Sequence, residues 1–447
     1  MPRPRFSIVV PTRHRPQTLP HTLATVAAQE HDSLEIVVAD NASGPETRRV
    51  VEALADSRIT YVRSETPVSM SANWRRALAA TRGEWIMFIG DDDGLMPASL
   101  VESDQVIAAH RVRSIRHSYA LYVWPCADAT GEAHRLQVHL GRAVRVAQSR
   151  ECLAEMVARP VSAPIPLPYH GWIHRSLYEE AARSGPVFQG KDPDTYAGIL
   201  LAALAGDFVS QERPLSVIGI SGTSNTYRFV IKGQTGDQNR DAGRDADERI
   251  ARHVLVPNVP TVTASLIDGL LKIRDRLGGD AIPWWPTPLE IARHCAASVW
   301  RTDDEGRDQL GRIRDKLEDA GDRQAFAAAV AAAPPSGRPP RMACIDHGRA
   351  GQYLVLDTEP LGVRTIAGAA TAAAAALAAS AVLEPAVPTE PTEPTAPPTG
   401  HRSPSSNGPA AAPEAITGED RHGGSWPPRP HLIQRLARAV RRTVRGL

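Results

Sequence analysis

Three consecutive carboxylates, Asp91, Asp92 and Asp93, follow the apolar run Trp85-Ile-Met-Phe-Ile89 and a single glycine. Adjacent negative charges repel one another, so such a triplet costs stability unless a cation shares it. Oxygen ligands suit a hard divalent ion such as Mg²⁺ or Mn²⁺, usually held by one or two carboxylates together with substrate phosphates. A solvated acidic turn is the competing reading, because Asp and Gly are common turn formers. The surroundings favour the ligand reading. Acids at the C-terminal end of a buried strand lie where open α/β sheets bind their ligands.

The elements that must position the triplet are legible on its N-terminal side. Phe6-Ser-Ile-Val-Val10 is a continuous apolar strand closed by Pro11-Thr12. A helix from about Gln17 to Gln29 follows. A second buried-type strand, Leu34 to Ala39, ends in Asp40-Asn41-Ala-Ser43-Gly44. Next come a helix from about Pro45 to Ala55, a strand Ile59 to Val62, and a helix from about Ser71 to Thr81. The fourth strand then runs into the acids. Alternating strands and helices of this length predict βαβ units and a mostly parallel sheet. Asp40 falls at a strand tip, where a carboxylate can meet a ribose or a base. Capping the next helix is its alternative role. No G-x-G-x-x-G follows the first strand, which argues against a dinucleotide-binding dehydrogenase.

These blocks resemble the family 2 glycosyltransferases, an inverting, nucleotide-sugar-dependent class with the GT-A fold. The matching pieces are Phe6-Ser-Ile-Val-Val-Pro-Thr-Arg-His-Arg15, Glu35-Ile-Val-Val-Ala-Asp-Asn-Ala-Ser43, Asn73-Trp-Arg-Arg-Ala-Leu78 and Gly83 through Pro97. The resemblance is strong over about residues 5–110 and looser to about 230. It implies that Pro11, Thr12 and Arg15 border the nucleotide. Asp40, with Asn41 beside it, would contact the uracil or ribose, and Asn73 and Arg75 would approach the diphosphate. The triplet matches the family's metal motif with one departure. Many relatives read Asp-x-Asp-Asp-x-x-x-Pro, and alignment on Pro97 puts Gly90 at the first acidic position. The working pair is then Asp91 with Asp93, or Asp92 with Asp93. Asp93 belongs to both, and Asp91 and Asp92 also face the donor. Asn73 and Arg75 have a plain alternative as a polar helix face.

Inverting transfer also needs a base to take the acceptor hydroxyl's proton. In the family this is a carboxylate in the second half of the domain. The segment Gly190-Lys-Asp-Pro-Asp-Thr-Tyr-Ala197 resembles that block and opens a helix. Asp194 is the first choice and Asp192 the second, with helix capping as the structural alternative for Asp194. His170 and His174, near Trp172, are candidates for the acceptor side, with an ordinary packed or surface histidine as the favoured reading.

The expected architecture is therefore α/β, with a GT-A domain over residues 1–230 and a mainly helical extension over 250–383. The expected function is transfer of a sugar from a nucleotide sugar, UDP-linked or similar, to a hydroxyl of a polysaccharide, glycolipid or other glycoconjugate. A nucleotidyltransferase, or a sugar-nucleotide-binding scaffold without catalysis, is the rival reading. The net charge of +1 provides no global field for nucleic acid. Cys126, Cys152, Cys295 and Cys344 lack C-x-x-C spacing, which fits a reducing cytosol and no zinc site. Only a strand-length apolar run follows Arg3 and Arg5, so no signal peptide is expected. The uncharged stretch Ile366–Leu383 is mostly alanine and reads as a helix rather than a membrane span. Residues 384–428 are rich in Pro, Thr, Ser and Ala and read as a disordered linker. Residues 429–447 carry Leu432, Leu436, Val440 and Val444 at helical spacing, with Arg435, Arg438, Arg441, Arg442 and Arg445 providing charge. This basic amphipathic helix suits an anionic membrane surface and a peripheral place on the inner face of the cell membrane.

Overall fold

The computed structural model describes residues 3–127, 133–160, 164–224, 252–282, 286–335, 337 and 353–383. The first strand–helix repeats fall where hydrophobic periodicity puts them. They are β1 (Phe6–Thr12), α1 (Leu19–Ala27), β2 (Leu34–Asp40), α2 (Pro45–Ala53), β3 (Ile59–Arg63), α3 (Met70–Ala80) and β4 (Trp85–Phe88). β1 pairs in parallel with β2 on one side and β4 on the other, and β2 pairs in parallel with β3. Both faces of these strands are covered, which is why they read as unbroken apolar runs. Val9, Val37, Ile86 and Phe88 enter one core, while Ile8, Val10, Ile36, Met87 and Ile89 enter the other.

Local chemistry sets the helix starts. Gly44 precedes Pro45 at the first position of α2. The Ser69 hydroxyl accepts from the Ala72 amide at 3.0 Å to open α3.

Beyond the triplet lie β5 (Gly94–Leu95), α4 (Ser99–Ala109), β6 (Ser114–Val123), β7 (Arg135–His139), β8 (Val144–Gln148) and α5 (Ser149–Ala158). Then come β9 (Gly171–His174), α6 (Arg175–Ala182), α7 (Pro193–Ala205) and the long β10 (Asp207–Ile220). β9 runs antiparallel to both β4 and β6, so it joins the parallel half of the sheet to the rest. β10 lies along β6 and returns its C-terminal end to β5, beside the acids.

Four helices follow: α8 (Val262–Leu277), α9 (Pro288–Ala297), α10 (Asp304–Arg314) and α11 (Ala320–Ala332). They share a core built on Ile267, Leu271, Ile291, Ile313 and Phe326. The other face of α8 presents Leu266, Leu270 and Ile273 to the core that holds α7. β11 (Tyr353–Asp357) then pairs antiparallel with β7, and α12 (Ile366–Leu383) packs on Met96, Trp124 and Val217. The stretch read as a helical extension thus supplies a strand to the main sheet. Among the described residues no helix is long and apolar enough to cross a membrane. The expected linker and basic terminal helix lie outside the described residues.

Candidate active site

β1 and β2 end in register, Thr12 opposite Asp40, and β4 stops just before the triplet. The candidate residues therefore gather at the C-terminal edge of the parallel strands. All three triplet carboxylates are buried, and each is held differently.

Asp91 accepts from Thr12 Oγ1 at 2.7 Å and from Arg15 Nη1 at 3.0 Å. Burial pushes its carboxyl above the usual value, and Arg15 and Thr12 oppose the rise. Asp92 Oδ2 accepts from Ser221 Oγ at 2.6 Å and lies 3.5 Å from Arg15 Nη1. Burial, reinforced by the charges of Asp93 and Asp91 and only partly offset by Arg15, pushes Asp92 up to about 7. Nothing among the described residues donates to its Oδ1. Asp93 has no such vacancy. Its Oδ2 accepts from the Gly90 amide at 2.7 Å, His170 Nε2 at 2.9 Å and the Tyr169 hydroxyl, and its Oδ1 from the Gly219 amide at 2.8 Å. Burial alone would raise this carboxyl, yet His170, Tyr169 and Gly219 hold it below the ordinary value.

The missing acid at position 90 has a steric explanation. A Cβ on Gly90 would stand 2.7 Å from both Asp93 Oδ2 and the Tyr169 hydroxyl. Gly219 is still tighter, since a Cβ there would lie 1.8 Å from the Asp92 carbonyl oxygen. That carbonyl also accepts from Trp124 Nε1 at 3.0 Å.

Asp40 is not the cap of α2, which starts from Gly44. Its Oδ1 accepts from the Ser43 amide at 2.9 Å, and its Oδ2 takes the Tyr61 hydroxyl, with Arg63 Nε at 3.6 Å. Asn41 clips the Val68 backbone at both ends of its amide, each at 2.8 Å. Asn73 donates to the Ala39 carbonyl at 3.0 Å, and Arg75 donates to the Phe188 carbonyl at 2.8 Å. These three residues brace the walls of the site through backbone contacts. Arg15 ties the triplet to the Thr223 carbonyl at 2.6 Å.

On the opposite flank, Asp192 is exposed and accepts from Ser265 Oγ at 2.5 Å. Asp194, half-buried in the first turn of α7, accepts from its own amide and that of Thr195. Burial and then the charge of Asp192 push its carboxyl up to about 6, and His170 pulls the other way. The Tyr169 hydroxyl feels both Asp194 and Asp93. Asp194 is thus in electrostatic reach of the residues that grip the triplet. His170 is buried against Asp93 and Ser216. His174 caps α6, accepting from the Ser176 amide at 3.2 Å, with Glu84 at 3.4 Å. His170 is thus taken up by the triplet, and His174 by its helix cap and Glu84.

Tyr169, Gly219 and Ser221 are parts of the site with no role in the sequence reading. They lie far along the chain: Tyr169 reaches the triplet by bridging Phe88 at the end of β4, and Gly219 and Ser221 through the pairing of β10 with β5 and β6. The run Ser221-Gly-Thr-Ser224 after a strand was the one visible signal. Among the described residues no group of three or more His, Cys, Asp or Glu is arranged to hold a metal by itself. The donor set still fits a hard cation shared with a ligand. It is all oxygen, it carries more negative charge than Arg15 balances, and Asp92 Oδ1 is open. Asp91 and Asp92 would hold such an ion, whereas Asp93 is fully engaged.

Residues 7–103 match the model of Glycosyl transferase family 2. Through this segment the chain is similar to the family 2 glycosyltransferases, and its architecture is mixed α/β. It is similar to the GalNAc(5)-diNAcBac-PP-undecaprenol beta-1,3-glucosyltransferase of Campylobacter jejuni, 32% identical over 100 residues, which are 22% of this chain and 32% of that protein. It is also similar to the PGL/p-HBAD biosynthesis glycosyltransferase of Mycobacterium bovis, 29% identical over 22% of this chain and 39% of that one. The match thus spans between about a third and two fifths of these relatives' length. The structure of S. aureus TarS 1-349 in complex with UDP-GlcNAc aligns over 73% of this chain and 90% of that one, with TM-score 0.44 and 13% identity.

Proposed function

We propose that this protein is an inverting glycosyltransferase that moves a sugar from a nucleotide-sugar donor to a hydroxyl of a cell-envelope glycan or glycolipid. One observation carries the reading. A buried acid triplet, with an open carboxylate oxygen on Asp92, meets a second carboxylate of raised pKa, Asp194, across Tyr169 and His170. The nucleotide lies over the ends of β1 and β2, between Thr12 and Asp40. When bound, a divalent cation on Asp91 and Asp92 neutralises charge growing on the diphosphate leaving group. Asp93 does not bind that cation. It is the anchor that holds the turn, through Gly90, Tyr169, His170 and Gly219.

Asp194 is the base. A carboxyl near 6 is ionised at neutral pH yet basic enough to accept a proton. The acceptor oxygen attacks the anomeric carbon from the face opposite the diphosphate. Its proton passes to Asp194, the bond from the anomeric carbon to the phosphate oxygen breaks, and the nucleoside diphosphate leaves with the bonding pair. The C. jejuni relative's name refers to an undecaprenol-linked glycan. This supports an envelope acceptor, which the basic segment 429–447 would reach at an anionic membrane surface.

The test is the identity of the released product when UDP- and GDP-sugars are offered with Mn²⁺. Nucleoside diphosphate is expected. Pyrophosphate would point to a nucleotidyltransferase, and donor binding without turnover to a scaffold.

A further inference from the structure

Residues 184–192 link α6 to α7 and lead into the turn that carries Asp194. Every second residue of this link is tied to one of two helices. From α8, Arg276 donates Nε to Ser184 Oγ at 3.0 Å and Nη1 to the Pro186 carbonyl at 2.6 Å. From α3, Arg75 donates to the Phe188 carbonyl at 2.8 Å and Ser71 Oγ to the Gly190 carbonyl at 2.8 Å. From α8 again, Ser265 Oγ donates to Asp192 Oδ2 at 2.5 Å. Arg276 also reaches the Ala181 carbonyl at 2.8 Å and the Tyr196 hydroxyl at 2.9 Å. The α8 side therefore grips the chain both before and after Asp194.

Ordering an irregular link costs about 1–2 kcal/mol per residue in backbone entropy. A guanidinium fork is well suited to offset that cost, because it is rigid and offers several donors at once. Two of these ties, Ser265 to Asp192 and Arg276 to Ser184, lie at exposed positions. Exposed hydrogen bonds add little to global stability. Their effect falls mainly on the shape of the link, while the Arg276 contacts to Ala181 and Tyr196 are part-buried.

We propose that Ser265 and Arg276 are positioning residues for sugar transfer, through which α8 sets the place of Asp194 opposite the donor. The helical segment beginning at α8 is then a working part of the active site. This rests on Asp194 being the base. A small misplacement of a catalytic group can cost about 10²-fold in rate. Removing the Ser265 and Arg276 contacts together should therefore lower kcat by about 10–100-fold with the donor KM little changed.

The experiment compares the full chain with Ser265→Ala/Arg276→Ala, Arg276→Lys and Asp194→Asn. Release of nucleoside diphosphate from UDP-glucose, UDP-GlcNAc and GDP-mannose with Mn²⁺ is followed, alongside amide hydrogen exchange. The double variant should lose kcat, keep its donor KM and exchange faster over residues 184–192, with β1–β4 unchanged. Arg276→Lys, still a donor, should recover part of the rate. Wild-type kcat in the double variant, with Asp194→Asn inactive, overturns the positioning role and leaves the base standing. A fully active Asp194→Asn removes the base assignment and the positioning role together. Unchanged exchange over 184–192 overturns the pinning itself.

Discussion

Asp92 carries the least balanced charge in the site. Its carboxyl is pushed to about 7, against about 4 in an unfolded chain. The folded form keeps its proton to higher pH than the unfolded form, so folding loses stability as pH rises from about 4 to about 7. Asp92→Asn should remove that penalty. Without metal, the variant is expected to melt higher than the parent at pH 7 to 8, and Mn²⁺ should no longer raise its Tm. Sugar transfer should fall by about two orders of magnitude. A variant stabilised by Mn²⁺ as strongly as the parent would take Asp92 out of the cation site.

Glu35 is the opposite case. It is buried on β2, accepting from Ser7 Oγ, the amides of Arg82 and Gly83, and Arg82 Nε at 3.0 Å. Burial would raise its carboxyl, but Ser7 and these amides hold it below the ordinary value. A depressed folded pKa contributes stability that is present above the unfolded value, about 4.3, and is lost as pH falls through the folded one. Glu35→Ala leaves several buried donors without partners and should cost about 2–4 kcal/mol in urea unfolding at pH 7. The gap between parent and variant should narrow below about pH 4. A gap independent of pH would mean that packing, not charge, is what Glu35 supplies.

Among the elements, β10 does most to seat the triplet. Its end delivers the Gly219 amide to Asp93, and Ser221 just beyond it binds Asp92. Gly219→Ala would force a Cβ to within 1.8 Å of the Asp92 carbonyl. That contact is with backbone, so the turn must move. Overpacking of this kind costs about 1–3 kcal/mol, and donor affinity should drop with the Tm. Normal donor binding by a folded Gly219→Ala protein would show that the turn tolerates displacement.

The strands β1 to β4 were legible in the sequence because each is a short apolar run between turn residues. β10 was not. Pro214 interrupts its pattern, and its pairing with β6 shifts register between Gln211 and Ser216, so no clean period survives. Asp40 could be read because it sits at the tip of a legible strand, and Thr12 and Arg15 because the family resemblance marks the loop after β1. Tyr169 and Ser221 could not, since only long-range pairing brings them to the acids. Asn73 and Arg75 were legible as a polar helix face, but not their partners, which are backbone carbonyls elsewhere in the chain.

At the scale of the molecule, residues 353–383 are structural. β11 covers the edge of β7, and α12 covers Met96, Trp124 and Val217. A chain ending at residue 352 is expected to lose the Trp124 support of Asp92 and to aggregate as apolar surface and a strand edge open. A chain ending at residue 383 should keep its Tm and donor affinity but bind anionic vesicles more weakly than the full chain, because the six arginines of 429–447 are gone. Equal vesicle binding by the two would reject a membrane role for that segment.

The late return of β11 also bears on how the protein is made. His139 pairs with Tyr353, so β7 leaves the ribosome long before its partner exists. At about 5–20 residues per second, that interval is on the order of ten to forty seconds. During it the parallel strands can already close over their two cores, while the face that α12 will occupy stays open to solvent. The nascent chain thus passes through a stage with a finished parallel half and an uncovered apolar wall. Slow codons or a missing chaperone would be felt most in that interval, and losses of this protein in the cell should track translation speed between residues 139 and 383 more closely than the stability of the finished fold.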